Sequence, residues 1–182
     1  MSERRLQIEG HLVLVGLPGA GKSTVGRGVA RLLERPFLDF DAEIERRVGC
    51  SVARYFARYG ERAFREYEVR LTRELAAAPP MVLSPGGGWV TNPGVMEMLS
   101  PPGCIVHLRL PPEAAMRRIA RSRIVRPLLQ EADPGAKMQR LWEARSSLYE
   151  KANAVVDVEK LTTQQVTERV VQLAREGTQG IG

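Results

Sequence analysis

Cysteine and histidine are scarce, with two of each in 182 residues. Cys50 and Cys104 are far apart and form no C-x-x-C or Cys/His pattern, which argues against a disulfide scaffold and a zinc cage. His11 and His107 fall in expected strands with no partner at metal-ligand spacing, so all four read as interior fillers. No apolar run approaches the roughly 20 residues that span a bilayer. The opening "MSERRLQIEG" has charge but no apolar core or small-residue cleavage site, so it does not resemble a signal peptide, and the cytoplasm is the default location. Neither an internal repeat nor a long Gly/Ser linker divides the chain, and one domain over 1–182 is expected.

The net charge is +6, but it is local. Six arginines (109, 117, 118, 121, 123 and 126) lie between Arg109 and Arg126 against one acid, Glu113, which is +5 of the total. No aromatics interleave with them, so a site for a small polyanion fits better than a stripe tracking nucleic acid; a solvated helix face is the plain alternative.

Apolar "HLVLVG" (11–16) reads as a buried strand, followed by a glycine loop and a helix with Val25, Val29, Leu32 and Leu33 on one face. "PFLDF" (36–40) is a second strand, and "DAEIERRVG" a helix stopping at Gly49. Ser51 caps a short helix reaching Gly60, and a longer one runs from Glu61 to about Ala78. "MVLS", "CIVHLRL" and "AVVDV" supply three more strands. Asn92 and Pro93 suit the start of a short helix, and Thr162 or Thr163 the cap of the last one. Residues 121–135 break the periodicity and read as a mobile lid. Strands alternating with helices imply an α/β fold, a parallel sheet covered by helices on both faces in three layers.

Gly16, Gly21, Lys22 and Ser23 fit G-x-x-x-x-G-K-[ST] after a strand and at the start of a helix. In that setting successive backbone N–H groups of Gly19, Ala20, Gly21, Lys22, Ser23 and Thr24 can cradle phosphate at the positive end of a helix. Lys22 can reach the β and γ phosphates, and the Ser23 hydroxyl can ligate Mg²⁺. No N-K-x-D tetrapeptide reads guanine, so ATP is the expected nucleotide.

Four further groups are candidates for holding an acceptor. Asp39 and Asp41 form D-x-D at a strand end, where two-residue periodicity would aim both at one side: one toward the metal, one toward an attacking hydroxyl. A helix-capping aspartate beside an ordinary acid is the other reading. Arg65 and Glu68 are i, i+3 on a helix and form either a surface pair or a carboxylate-binding fork steadied by an acid. "PGGG" (85–88) offers either close backbone approach to a ligand or a flexible turn. Arg126 lies in the lid and Arg145 on the next helix, each able to meet phosphate or an acid.

With these segments placed, the chain resembles shikimate kinases from about Leu12 to Asp157. The resemblance rests on the series "GLPGAGKSTVGR", "FLDFDAEIERRVGCS", "FREYE", "PGGG", "VRPLL" and "ARSSLY". It implies Mg²⁺-dependent transfer of the ATP γ-phosphoryl group to the 3-hydroxyl of shikimate, in chorismate and aromatic amino acid biosynthesis, and the strand order 2-3-1-4-5. Lys22 would contact phosphate, Ser23 would bind the metal and Asp39 would support it through water. Asp41 would bind the hydroxyls and serve as base or positioner. Arg65 and Arg145 would grip the carboxylate, with Glu68 steadying Arg65. Gly86, Gly87 and Gly88 would present backbone to shikimate, Phe56 and Phe64 would wall the pocket, and Arg126 would arrive with the lid. The segment near Asp157 would lie by the adenine with Arg117 or Arg118. ATP and shikimate are then the partners, with no nucleic acid or membrane, and the protein is expected to be a monomer. Monophosphate kinases, whose loops often read G-K-G-T, and gluconate kinases share the loop but not this series. Pro85, which lacks an N–H, and bulky Trp89 depart from the family pattern and bear on pocket shape.

Overall fold

Four consecutive apolar residues with no polar face call for burial on both sides, and β1 (Leu12–Val15) receives it as the central strand of a five-stranded parallel sheet. The computed structural model describes residues 8–121 and 132–176. β1 is flanked by β3 (Val82–Ser84) and β4 (Cys104–Arg109). β2 (Phe37–Asp39) pairs with β3, and β5 (Ala154–Asp157) with β4, giving the expected order 2-3-1-4-5. Asp39 lies level with Ser84, and Val15 with His107, so the glycine loop and the candidate carboxylates emerge along one carboxyl edge.

Right-handed crossovers decide which face each helix covers. α1 (Lys22–Leu32) follows the leftward step from β1 to β2, and α7 (Thr163–Glu176) returns to pack on it. The later steps run rightward and place α2 (Phe40–Val48), α3 (Val52–Ala76), α4 (Val95–Leu99), α5 (Pro112–Arg121) and α6 (Pro134–Tyr149) on the other face. Fully buried Leu12, Leu14, Leu83, Val106 and Leu108 join Val29 and Val170 in one apolar core. Each such side chain contributes about 1.5–3 kcal/mol. No helix among the described residues is long and apolar enough to cross a membrane.

Several local expectations change. Leu32 is 44% exposed, because α1 turns Val25, Gly26, Val29 and Ala30 inward and leaves Leu32 at its rim. Asn92 does not start the short helix: Gly94 precedes α4, and Asn92 is buried, donating through Nδ2 to Glu68 Oε2 and the Trp89 carbonyl. Asp41 is not a strand residue but sits in the first turn of α2, after Asp39 has accepted the Ala42 N–H as its cap. α3 holds both expected helices, Ser51 capping the first and Gly60 breaking the run at φ 80°. It ends at Ala76, short of Ala78. Thr162 is the one that caps α7, in a reciprocal pair with Gln165.

The histidines are structural. His11 lies just outside β1, donating from Nε2 to the Leu75 carbonyl and accepting the Met81 N–H at Nδ1. His107 stacks on Tyr149 with ring centroids 4.6 Å apart, and burial lowers its pKa to about 4. Burial likewise pushes the Cys104 thiol up to about 11, which suits a core filler. Trp89 points into the core, not the pocket. It is fully buried, meets Phe40 edge-on, and donates from Nε1 to Thr72 Oγ1 at 2.8 Å.

Candidate active site

The loop between β1 and α1 turns through Gly19 (φ 88°) and Gly21 (φ 90°), angles that side chains with a Cβ rarely adopt. The N-cap residue of α1 is Gly21, which has no side chain to cap the first turn, so the N–H groups of that turn and the helix dipole face the loop as a cradle for an anion. Lys22 Nζ spans this cradle, donating to the carbonyls of Gly16 at 2.8 Å and Leu17 at 3.2 Å.

In the first turn of α1, Ser23 Oγ donates to Asp39 Oδ2 at 2.5 Å and lies 3.4 Å from Ser84 Oγ. Asp39 therefore has two tasks, since its other oxygen caps α2. Among the described residues no three His, Cys, Asp or Glu side chains are grouped as a metal cage. A pair of hard oxygen donors beside a phosphate cradle suits Mg²⁺, which keeps its waters and binds through one or two protein groups plus phosphate.

The three consecutive glycines organise the acceptor side. A Cβ placed at Gly86 would stand 2.9 Å from Asp41 Oδ1 and 3.3 Å from Glu68 Oε1. One at Gly87 would stand 3.1 Å from Arg145 Nη1, and one at Gly88 would overlap the Arg65 guanidinium, 2.6 Å from its Cζ. The sequence pattern left "PGGG" open between a flexible turn and close approach to a ligand; in the structure the turn is packed against side chains, with Asp41, Arg145 and Arg65 each set against a different glycine. Gly88→Ala is accordingly expected to displace Arg65 and raise the KM for the acceptor about tenfold or more, with the KM for ATP little changed, as steady-state kinetics would show.

Arg65 and Glu68 pair against the glycine turn and not on an open surface. Glu68 is fully buried and accepts Arg65 Nη1 at 2.6 Å and Asn92 Nδ2 at 3.0 Å. Its Oε1 is buried with no hydrogen bond among the described residues, and burial pushes its pKa up against the opposing pull of Arg65. Arg145 on α6 is only 7% exposed, and its Nη1 is buried without a hydrogen-bond partner among the described residues. Such a guanidinium edge is costly unless an anion meets it. Asp41 is pushed up from the ordinary carboxylate value by burial and by Asp39, with Lys22 and Arg65 pulling the other way. Phe56 and Phe64 pack with ring centroids 4.7 Å apart and planes tilted by 39°, and the Arg65 Cζ lies 5.6 Å from the Phe64 ring centroid.

Two further side chains belong to this arrangement. Tyr149, one helical turn past Arg145, donates from Oη to the Gly87 carbonyl at 3.2 Å and so ties α6 to the glycine turn. The i, i+4 spacing in "ARSSLY" was the available signal for it. Ser84 ends β3 beside Ser23 and had no signal beyond its position before "PGGG".

The arginine-rich window is more neutralised than its sequence suggested. Arg109 makes a two-pronged ion pair with Asp157 at 2.5 and 2.6 Å. Arg117 pairs with Glu159 at 3.1 Å, and Arg118 donates to the Val158 carbonyl. Arg117 and Arg118 of α5 thus hold the segment following β5, where the resemblance put the adenine. Arg126, with positions 122–131 of the expected lid, lies outside the described residues.

A phosphate loop opening α1, an oxygen pair beside it and an arginine-lined glycine turn on a 2-3-1-4-5 sheet define a P-loop kinase acting on a small acceptor. The shikimate kinase family model matches residues 18–175. The shikimate kinase of Paramagnetospirillum magneticum is 42% identical over 166 residues, 91% of this chain and 83% of that one. That of Paracidovorax citrulli is 45% identical over 150 residues, 81% of each. The structure of the Acinetobacter baumannii shikimate kinase in complex with shikimate superposes with a TM-score of 0.87 at 35% identity, covering 96% of this chain and 97% of that one. The chain belongs to the shikimate kinase family, and it is an ATP-dependent kinase.

Proposed function

We propose that this chain phosphorylates the 3-hydroxyl of shikimate from ATP, giving shikimate 3-phosphate and ADP for aromatic amino acid biosynthesis, with the following division of labour. The observation that carries it is the convergence of Asp41, Arg145 and Arg65 on Gly86, Gly87 and Gly88. Two guanidinium groups suit one acceptor carboxylate, and one carboxylate suits its hydroxyls. Glu68, itself held by Asn92, fixes Arg65, Tyr149 fixes the turn, and the packed Phe56 and Phe64 form the apolar wall.

Asp41 accepts a hydrogen bond from the 3-hydroxyl, orients its oxygen toward the γ-phosphorus and takes the proton as the new P–O bond forms. The bond from γ-phosphorus to the bridging oxygen breaks, and ADP carries away that electron pair. Lys22 and the first N–H groups of α1 hold the phosphates in line and offset the charge on the transferring group. Ser23, and Asp39 through water, would hold Mg²⁺, which supplies charge neutralisation on the β and γ phosphates. Arg126 would join them from a lid spanning about 121–135 whose closure excludes water. We assign the chain to one domain, working as a monomer in the cytoplasm.

The test is the initial rate of ADP formation with Mg-ATP, comparing shikimate, gluconate, a nucleoside monophosphate and no acceptor, with Arg65→Ala alongside. ADP release should depend on shikimate, and Arg65→Ala should raise its KM by about 10–100-fold, the cost of losing a bidentate charged contact. ATP binding without stimulation by shikimate would refute the acceptor assignment.

A further inference from the structure

Arg65 serves two acids at once. Its Nη1 is committed to buried Glu68. Its Nε and Nη2, the parallel N–H pair along the other edge of the fork, both donate to one oxygen of Glu61, at 3.3 and 3.0 Å. The two contacts differ in character. Glu68 is fully buried and held further by Asn92, whereas the Glu61 side chain is 67% exposed and has no other hydrogen bond among the described residues. The Glu61 contact lies on the solvent side of Arg65, whose own side chain is 20% exposed. It is therefore the edge that an acid arriving from solvent meets first.

From this geometry we infer that Glu61 is an internal competitor for the acceptor's carboxylate: it occupies the open edge of Arg65 in the free enzyme and must swing away for the acceptor to bind. The inference rests on the proposed role of Arg65. Glu61 can move without disturbing the fold, because it is the first residue after the break at Gly60 and its carboxylate needs only a side-chain rotation to reach water. An ion pair this exposed is weak, so the competition is mild and reversible. It has two effects in one contact: unrelated small anions are kept off an uncovered guanidinium, and the returning carboxylate helps to expel phosphorylated product.

The experiment is steady-state kinetics on the full chain with Glu61→Ala, Arg65→Lys, the double variant, and Glu66→Gln as a charge control. Glu66 pairs with Arg62 on an exposed face, whereas the ion pairs of Arg65 among the described residues are to Glu61 and Glu68. Glu61→Ala should lower the KM for shikimate about two- to fivefold with kcat unchanged, the range set by exposed ion pairs. It should also make benzoate, a plain carboxylate probe, a tighter competitive inhibitor by a similar factor. Glu66→Gln should change neither constant, and the effect of Glu61→Ala should vanish in the Arg65→Lys background. An unchanged or raised KM in Glu61→Ala, while Arg65→Lys raises it strongly, overturns the competition and leaves the role of Arg65 standing. An equal fall in Glu66→Gln reduces the effect to net charge and also overturns it. No change of KM in Arg65→Lys sinks the carboxylate role of Arg65, and the inference with it.

Discussion

Asp41→Asn should lower kcat by about 10²–10⁴-fold, the range lost when a positioned acid–base group is removed. The shape of the side chain is kept, so ATP should bind as before and the KM for shikimate should move far less than kcat. The pH profile carries a second signature. Burial and the neighbouring Asp39 raise the Asp41 pKa, so the acid limb of the kcat/KM profile should lie above the position of an ordinary aspartate and be absent from the residual activity of the variant. Stability should move in the opposite direction to activity. Because the folded-state value is the raised one, the native protein holds this proton more tightly than the unfolded chain. Stability from this group is then complete below the unfolded pKa and is lost as pH rises through the folded one. Above the folded-state pKa the ionised Asp41 is a cost, and there Asp41→Asn should raise Tm by a few degrees in a thermal melt. A lowered Tm together with an unchanged kcat would remove Asp41 from both roles.

Lys22→Ala should lower kcat/KM for ATP by about 10²–10³-fold, comparable to deleting one preorganised donor to a developing negative charge. Its ammonium is held by the Gly16 and Leu17 carbonyls, so it is already aimed across the phosphate cradle before any nucleotide arrives. This loss differs from that of Asp41→Asn. Equilibrium titration with ADP or ATP should show weakened nucleotide binding in Lys22→Ala and near-normal binding in Asp41→Asn. Shikimate binding should survive in Lys22→Ala, because Arg65, Arg145 and the glycine turn are untouched. Full ATP turnover in the variant would show that the N–H groups of α1 suffice alone.

The features legible in the sequence were those with local physical causes. The apolar run Leu12–Val15, the glycine loop after it and the alternation of strand and helix led to the parallel sheet and the phosphate cradle without long-range information. Other residues depended on contacts between distant segments. "FREYE" could not say whether the Arg65–Glu68 pair faced water or a cleft, because that turns on Gly88 and Asn92, more than twenty residues away in the chain. Asn92 looked like a helix start because its side chain suits a cap; the demand of buried Glu68 for a donor overrode that local preference. The D-x-D reading assumed that the strand continued through Asp41, whereas Asp39 ends the strand by capping α2, and helical geometry then aims Asp41 at Gly86. The local excess of arginine was real, but Asp157 and Glu159, which answer Arg109 and Arg117, lie more than forty residues downstream.

The placement of the two tryptophans gives the molecule a pair of optical reporters with separate duties. Trp89 is sealed in the core and fastened to Thr72, so its emission should report chiefly on the opening of the core. Trp142 rides on α6, three residues before Arg145, partly exposed and 6.4 Å from the His107 and Tyr149 rings. Its light therefore follows the helix that carries Arg145, the arginine proposed to meet the acceptor carboxylate, and the two signals together should separate ligand engagement from unfolding in the unlabelled protein.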